Sequence, residues 1–340
     1  MHIAVFSAQP YDIRFLTEAN EHPDRAGEHT FQFHTEALSL QSIPLAQGCG
    51  AVCIFVNDCA DAAVLKALAA LGVGALLLRC AGFNNVDLDA ATALGLFVAR
   101  VPAYSPEAVA EHTLALILTL NRHTHRAFAR VREGNFALDG LLGSNLHGKT
   151  VGLIGTGKIG LAAARVFRGF GCRVLASDPC PSPEFTALGQ IVPLAHLLGA
   201  ADIVSLHCPL TSATHHLIDA AALASMKPGA MLVNTSRGAL IDTCAVIDAL
   251  KSRQLGALAI DVYEQESELF FHDRSADIIA DDVFQRLMTF PNVLVTGHQG
   301  FFTIDAMREI AHITLSNLHA HVWQQPCANR LPTPLHQDRP

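Results

Sequence analysis

The feature that most constrains this chain is a glycine turn set between two apolar runs. Val151-Gly152-Leu153-Ile154 breaks into Gly155-Thr156-Gly157-Lys158-Ile159-Gly160, and a second run, Val174-Leu175-Ala176, ends at Ser177-Asp178. That order reads as strand, turn, helix and strand. Gly155 makes the tight turn, Gly157 lets backbone N–H groups approach a pyrophosphate, and Gly160 permits close packing of helix on sheet. The helix N-terminus then faces the diphosphate, where its unpaired amides favour an anion. A G-x-G-x-x-G string alone is equally a plain turn. Here strand, helix and downstream carboxylate all fall into place, so Gly155, Thr156, Gly157, Lys158, Ile159 and Gly160 are assigned to dinucleotide binding. Asp178 can accept hydrogen bonds from a ribose diol and would repel a 2'-phosphate, and Pro179-Cys180-Pro181-Ser182 brings no Arg or Lys to offset that. NAD is expected rather than NADP.

The 340 residues exceed the roughly 250 to 300 at which a single hydrophobic core stops growing, so two domains are expected. Half the chain is apolar, yet no uninterrupted stretch reaches the roughly 20 residues of a membrane span. The start, Met1-His2-Ile3-Ala4-Val5-Phe6, lacks the basic opening of a signal peptide. A cytoplasmic protein with no membrane partner is the expectation. Nine cysteines are scattered without a C-x-x-C pair or zinc-ribbon spacing, which points to reduced thiols. A net charge of -8 without a basic block argues against a nucleic-acid partner.

Short apolar runs alternate with helix-like stretches on both sides of the glycine turn, giving two doubly wound parallel-sheet units. Strands are expected near Ile3 to Phe6, Phe31 to His34, Val52 to Val56, Leu76 to Arg79 and Phe97 to Arg100. The second set lies near Val151 to Ile154, Val174 to Ser177, Ile203 to Leu206, Met231 to Asn234, Leu258 to Ile260 and Val293 to Thr296. Ser105 with Pro106 and Glu107 opens a long connecting helix. Thr303 caps a second long helix through Trp323 that returns the chain to the first unit. The expected division is a discontinuous unit of residues 1–102 and 300–330, a second unit of 103–299 inserted in it, and a loosely held tail of 331–340.

Ligands of open parallel sheets bind outside the carboxyl ends of the strands. After the second set of strands stand Gly155, Asp178, His207-Cys208-Pro209, Thr235-Ser236-Arg237-Gly238, Asp261 and His298. After the first set stand Cys80-Ala81-Gly82 and Pro102-Ala103-Tyr104. If the two sheets point these edges at each other, one cleft collects an arginine, imidazoles, carboxylates and glycine-freed amides, a common active-site geometry.

The residues resemble the D-isomer-specific 2-hydroxyacid dehydrogenases, and within that family the D-lactate branch, from Met1 to about Trp323. The resemblance is carried by Arg79 through Asp87, Val101 through His112, the glycine turn, Asn234-Thr235-Ser236-Arg237-Gly238, Asp261 through Glu266, and Thr296-Gly297-His298-Gln299. It implies a Rossmann NAD-binding domain inserted in a discontinuous flavodoxin-like substrate domain. It also implies Arg237 as the substrate-binding arginine, Glu266 as the acidic partner and His298 as the acid/base. A planar guanidinium holds a 2-oxo acid carboxylate with two parallel hydrogen bonds, which lysine does not reproduce. The amides of Ala81 and Gly82 complete that site; a simple turn is the plainer reading. His298 gives a proton to the carbonyl oxygen as NADH delivers hydride, and Glu266 favours the charged ring. Eighteen histidines make a surface or packing residue the bland reading of any one, which His298 escapes by its place after Val293-Leu294-Val295-Thr296-Gly297.

Asp261 is implied to bind the nicotinamide carboxamide or orient the arginine, with a helix cap as the alternative. His207, Cys208 and Pro209 run along the adenosine, Thr235 and Ser236 are further cofactor contacts, and Thr214 stands where asparagine often touches the cofactor loop. Tyr104 and Phe301 face the substrate or else pack between domains. Gly300 follows His298-Gln299 where alanine is common. The acidic stretch from Glu264 through Asp282 matches an insertion of the lactate branch, or is a solvated loop. No catalytic metal is expected. The implied activity is NAD-dependent reduction of pyruvate to D-lactate by a homo-oligomer. Other readings are a bulkier 2-oxo acid, a nucleotide-sensing scaffold resembling transcriptional corepressors, and, more weakly, formate oxidation, where glutamine usually replaces the glutamate.

Overall fold

The computed structural model describes residues 1–22, 27–266 and 269–331. Ser267 and Glu268 of the acidic stretch, and the tail from Pro332 onward, lie outside the described residues. The chain divides into two compact units: Met1–Ser105 together with the chain from Phe302, and Pro106–Phe301.

The first unit runs β1 (His2–Val5), α1 (Pro10–Asn20), β2 (Thr30–Phe33), β3 (Ala51–Ile54), α2 (Ala62–Ala70), β4 (Ala75–Leu78), α3 (Leu88–Ala93) and β5 (Phe97–Arg100). Its sheet is wholly parallel, in the order β2-β1-β3-β4-β5, the flavodoxin-like arrangement. Every residue of β3 and β4 is buried, as continuous apolar runs require in a sheet covered on both faces. Aspartates start its short helices: Asp61 accepts from the Val64 amide and Asp87 from that of Ala90, each satisfying an amide with no partner in the helix.

The second unit contains α4 (Pro106–Arg122), α5 (Thr124–Arg132), β6 (Thr150–Ile154), α6 (Lys158–Gly169), β7 (Arg173–Ser177), β8 (Gln190–Ile191), α7 (Leu194–Ala200) and β9 (Ile203–Leu206). It continues through α8 (Ala220–Ser225), β10 (Ala230–Asn234), α9 (Thr243–Lys251), β11 (Leu255–Ile260), α10 (Asp282–Met288) and β12 (Val293–Val295). The last helix, α11 (Ile304–Val322), is capped by the Thr303 hydroxyl at 3.2 Å and belongs to the first unit, where it packs on α1, β4 and β5.

The second sheet has seven parallel strands in the order β12-β11-β10-β9-β6-β7-β8, against the six expected. The added strand, β8, is two residues long, too short for an alternating pattern to register. Its two faces carry separate cores, one with α4 and α6, the other with α7 to α10. Strand order reverses between β6 and β9, the switch point at which doubly wound sheets open a ligand crevice. Among the described residues no helix is long and apolar enough to cross a membrane, and no two of the nine cysteines are joined by a disulfide.

Candidate active site

The glycine turn lies at that switch point, between β6 and α6. Gly155 adopts φ +104, and a Cβ there would collide with the His207 carbonyl, so the turn and the neighbouring loop after β9 close on each other only with glycine. A Cβ on Gly160 would strike the Gly155 carbonyl, whereas none of the protein lies within 4 Å of one on Gly157. That open face meets the start of α6, which no side chain caps. Free amides beside open space suit a diphosphate. Lys158 is exposed, Ile159 half-buried and Thr156 buried.

Thr156 joins the turn to Asp178: its amide and hydroxyl donate to Asp178 Oδ2 at 2.7 and 2.8 Å. Asp178 Oδ1 accepts from the Cys180 amide at 2.8 Å. Burial works against this carboxylate, but those three donors outweigh it and hold Asp178 below the usual carboxylate range. Thr156 Oγ1 also accepts from the Ser182 amide, which draws the Pro179–Ser182 segment against the turn.

After β9, the His207 ring hydrogen-bonds Ser205 Oγ at 2.9 Å. Its surroundings push it down to about 4, so the imidazole is neutral at physiological pH. Burial pushes the Cys208 thiol up to about 11. Thr214 folds back on this loop, donating to the Pro209 carbonyl at 2.7 Å and accepting from the Thr211 amide at 2.8 Å. After β10, Asn234 shapes the Thr235–Arg237 turn. Its Oδ1 accepts from the Ser236 amide and its Nδ2 donates to the Arg237 carbonyl. Ser236 Oγ reaches the Cys208 carbonyl and Thr235 Oγ1 pairs with Thr113 Oγ1 of α4 at 2.9 Å. Arg237 is half-buried and donates Nη1 to the Ser236 carbonyl at 2.7 Å.

His298 follows β12 with φ +53. Its Nδ1 lies 2.8 Å from Glu266 Oε1, and Glu266 Oε2 accepts from the Tyr263 amide at 3.0 Å. Phe271 and Phe301 flank the ring, with centroids at 5.7 and 6.4 Å. With Nδ1 engaged by a carboxylate, Nε2 is the atom left for proton exchange. The Asp261 carboxylate, 1% exposed, receives the Gln299 and Gly300 amides at 2.9 and 2.8 Å together with the Thr296 hydroxyl and His112 Nε2. Burial raises Asp261, and the donors, led by His112, reverse that and hold it low. Among the described residues the hydrogen bonds to the Asp261 carboxylate come from His112, Thr296, Gln299 and Gly300.

In the first unit, Ala81 and Gly82 form the half-buried loop after β4, where the Ala81 carbonyl accepts from Arg100 Nη1 at 2.6 Å. Tyr104 is half-buried beyond β5. Asn234, Tyr263 and His112 join the site only in the folded chain, although each lies in a motif that carries the resemblance. Phe271 lies in the acidic stretch, where only its left-handed backbone, φ +66, sets it apart. No three His, Cys, Asp or Glu side chains gather at metal-binding distances among the described residues.

Comparison with known proteins accords with this geometry. Residues 114–300 match the model of the D-isomer specific 2-hydroxyacid dehydrogenase, NAD binding domain. The chain is 57% identical over 333 residues to 2-hydroxyacid dehydrogenase A of Aspergillus oryzae, covering 97% of this chain and 95% of that one. The apo-structure of D-lactate dehydrogenase from Escherichia coli superposes with a TM-score of 0.88 at 49% identity, covering 98% of this chain and 100% of that one. The pyruvate reductase of Chlamydomonas reinhardtii gives a TM-score of 0.90 at 43% identity over 97% and 98% of the two chains. The glycine turn is therefore part of an NAD-binding domain, and the chain belongs to the D-isomer-specific 2-hydroxyacid dehydrogenase family.

Proposed function

We propose that this enzyme reduces pyruvate to D-lactate, reversibly, with Arg237, His298 and Glu266 as its working side chains. The observation that carries the proposal is the 2.8 Å pair between His298 Nδ1 and Glu266 Oε1, on the same sheet edge as the NAD turn. Arg237 exchanges its hydrogen bond to the Ser236 carbonyl for a two-pronged grip on the substrate carboxylate, which fixes the carbonyl in one orientation. When bound, NADH supplies the hydride. His298 donates the Nε2 proton to the carbonyl oxygen as negative charge develops there, while Glu266 holds the ring in place and balances its charge. In the reverse direction the same nitrogen accepts the hydroxyl proton. The proposal also gives the amides of Ala81 and Gly82 and the hydroxyl of Tyr104 to the substrate carboxylate, and Phe301 to the wall around a small side chain.

The D-lactate dehydrogenase and pyruvate reductase named above support a small 2-oxo acid. We further propose a homo-oligomer, supported by apolar side chains left in water on and after α5: Phe128, Phe136, Leu138 and Leu142 are 65, 74, 82 and 92% exposed. A panel of 2-oxo acids with NADH, its products resolved on a chiral column, tests the substrate. Pyruvate should give the highest kcat/KM and D-lactate as product. A bulkier acid turning over faster, or L-lactate, would overturn the reading.

A further inference from the structure

We propose that His112 is a positioning residue for proton transfer, holding the His298 loop through Asp261; the inference rests on His298 being the acid/base. Three successive amides of that loop end on one residue. His298 N donates to the Asp261 carbonyl at 2.7 Å, and Gln299 N and Gly300 N donate to its carboxylate at 2.9 and 2.8 Å. His298 takes a left-handed backbone, φ +53, which a non-glycine residue keeps only when its surroundings enforce it. Asp261 is that enforcement, so the aim of the imidazole depends on where this carboxylate is held.

Four groups donate to the Asp261 carboxylate among the described residues, and three of them, Thr296, Gln299 and Gly300, belong to the segment that carries His298. Gln299 and Gly300 move with the loop, and Thr296, whose amide donates to the Ile260 carbonyl at 2.9 Å, ties only the start of the segment to the sheet. The fourth is His112 Nε2, 3.2 Å from Asp261 Oδ1 and 3.2 Å from Thr296 Oγ1, on the second turn of α4. That helix is itself fixed, because the next residue, Thr113, pairs with Thr235 at the end of β10 and is fully buried. His112 is thus the link from a rigid helix to the acid/base loop.

An independent observation comes from Gly300. A Cβ there would stand 3.1 Å from Asp261 Oδ2 and 3.4 Å from His112 Cδ2. Alanine would press on the Asp261 carboxylate and touch the His112 ring, so glycine lets the loop close on the carboxylate.

The test uses the full-length enzyme with pyruvate and NADH. His112→Leu should lower kcat by roughly 10- to 100-fold, the scale of a small misplacement of a reacting group, while NADH affinity, read by fluorescence quenching, stays as in the wild type. His112→Gln, whose amide reaches Asp261 from a similar position, should recover most of the loss. If the leucine variant does not fold, His112→Asn, too short to reach, takes its place with the same expectation. A further readout excludes a general loss of structure. In an enzyme already carrying His298→Gln, His112→Leu should slow turnover no further, because the residue acts through His298. Wild-type kcat in His112→Leu, a glutamine variant as slow as the leucine one, or an added loss in the double variant would overturn the proposal. Full activity in His298→Gln alone would instead remove the acid/base reading on which it rests.

Discussion

At the scale of single residues, Asp178 departs most from what its position alone implies. A carboxylate has about four acceptor sites, and three donors from Thr156 and Cys180 already occupy Asp178. Room for about one ribose hydroxyl remains, rather than for both. Its negative charge is unaffected and still faces any 2'-phosphate. Asp178→Ala should therefore raise the KM for NADH by roughly tenfold, the worth of one charge-assisted hydrogen bond, and narrow the preference for NADH over NADPH. Steady-state kinetics with both nucleotides measure it; an unchanged ratio would clear Asp178 of cofactor choice. His298 and Glu266 were recognisable from the motifs around them because their chemistry is written in residue type. The work of Asn234 and His112 was not, since the first acts on backbone groups 2 and 3 positions away and the second on side chains 149 and 184 positions away.

At the scale of elements, strands buried on both faces were legible as apolar runs, and aspartate or threonine caps marked where helices begin. Two kinds of element were not. β8 has too few residues to show a period. α5 does have apolar positions, but no residue of it is buried, so its pattern marks no part of the unit's core. This carries the oligomer prediction. Replacing Phe136 and Leu138 together with glutamate should lower the mass measured by light scattering, with little change in thermal stability, because neither side chain packs into the unit. A mass unchanged by both substitutions would place the subunit interface elsewhere.

At the scale of the whole molecule, both sheets follow from rules about parallel strands. Alternating apolar and helical segments predict right-handed crossovers with helices on both faces, and the two strand orders are the two common solutions. The order itself is set by long-range packing that no local pattern reports, and the glycine turn fixed only where the second sheet begins its reversal. From that topology comes the placement of Gly155, Arg237, Asp261 and His298 after the ends of β6, β10, β11 and β12 of one sheet, and on that placement rests the proposed division of labour between them. The decisive measurement compares steady-state pyruvate reduction in His298→Gln and Arg237→Gln. His298→Gln should lower kcat by roughly 10²- to 10⁴-fold, the usual worth of a general acid, with KM for pyruvate little changed. Arg237→Gln should raise that KM by roughly 10- to 100-fold, as the loss of a charged pair of hydrogen bonds requires. Wild-type kcat without the imidazole, or wild-type KM without the guanidinium, would contradict it.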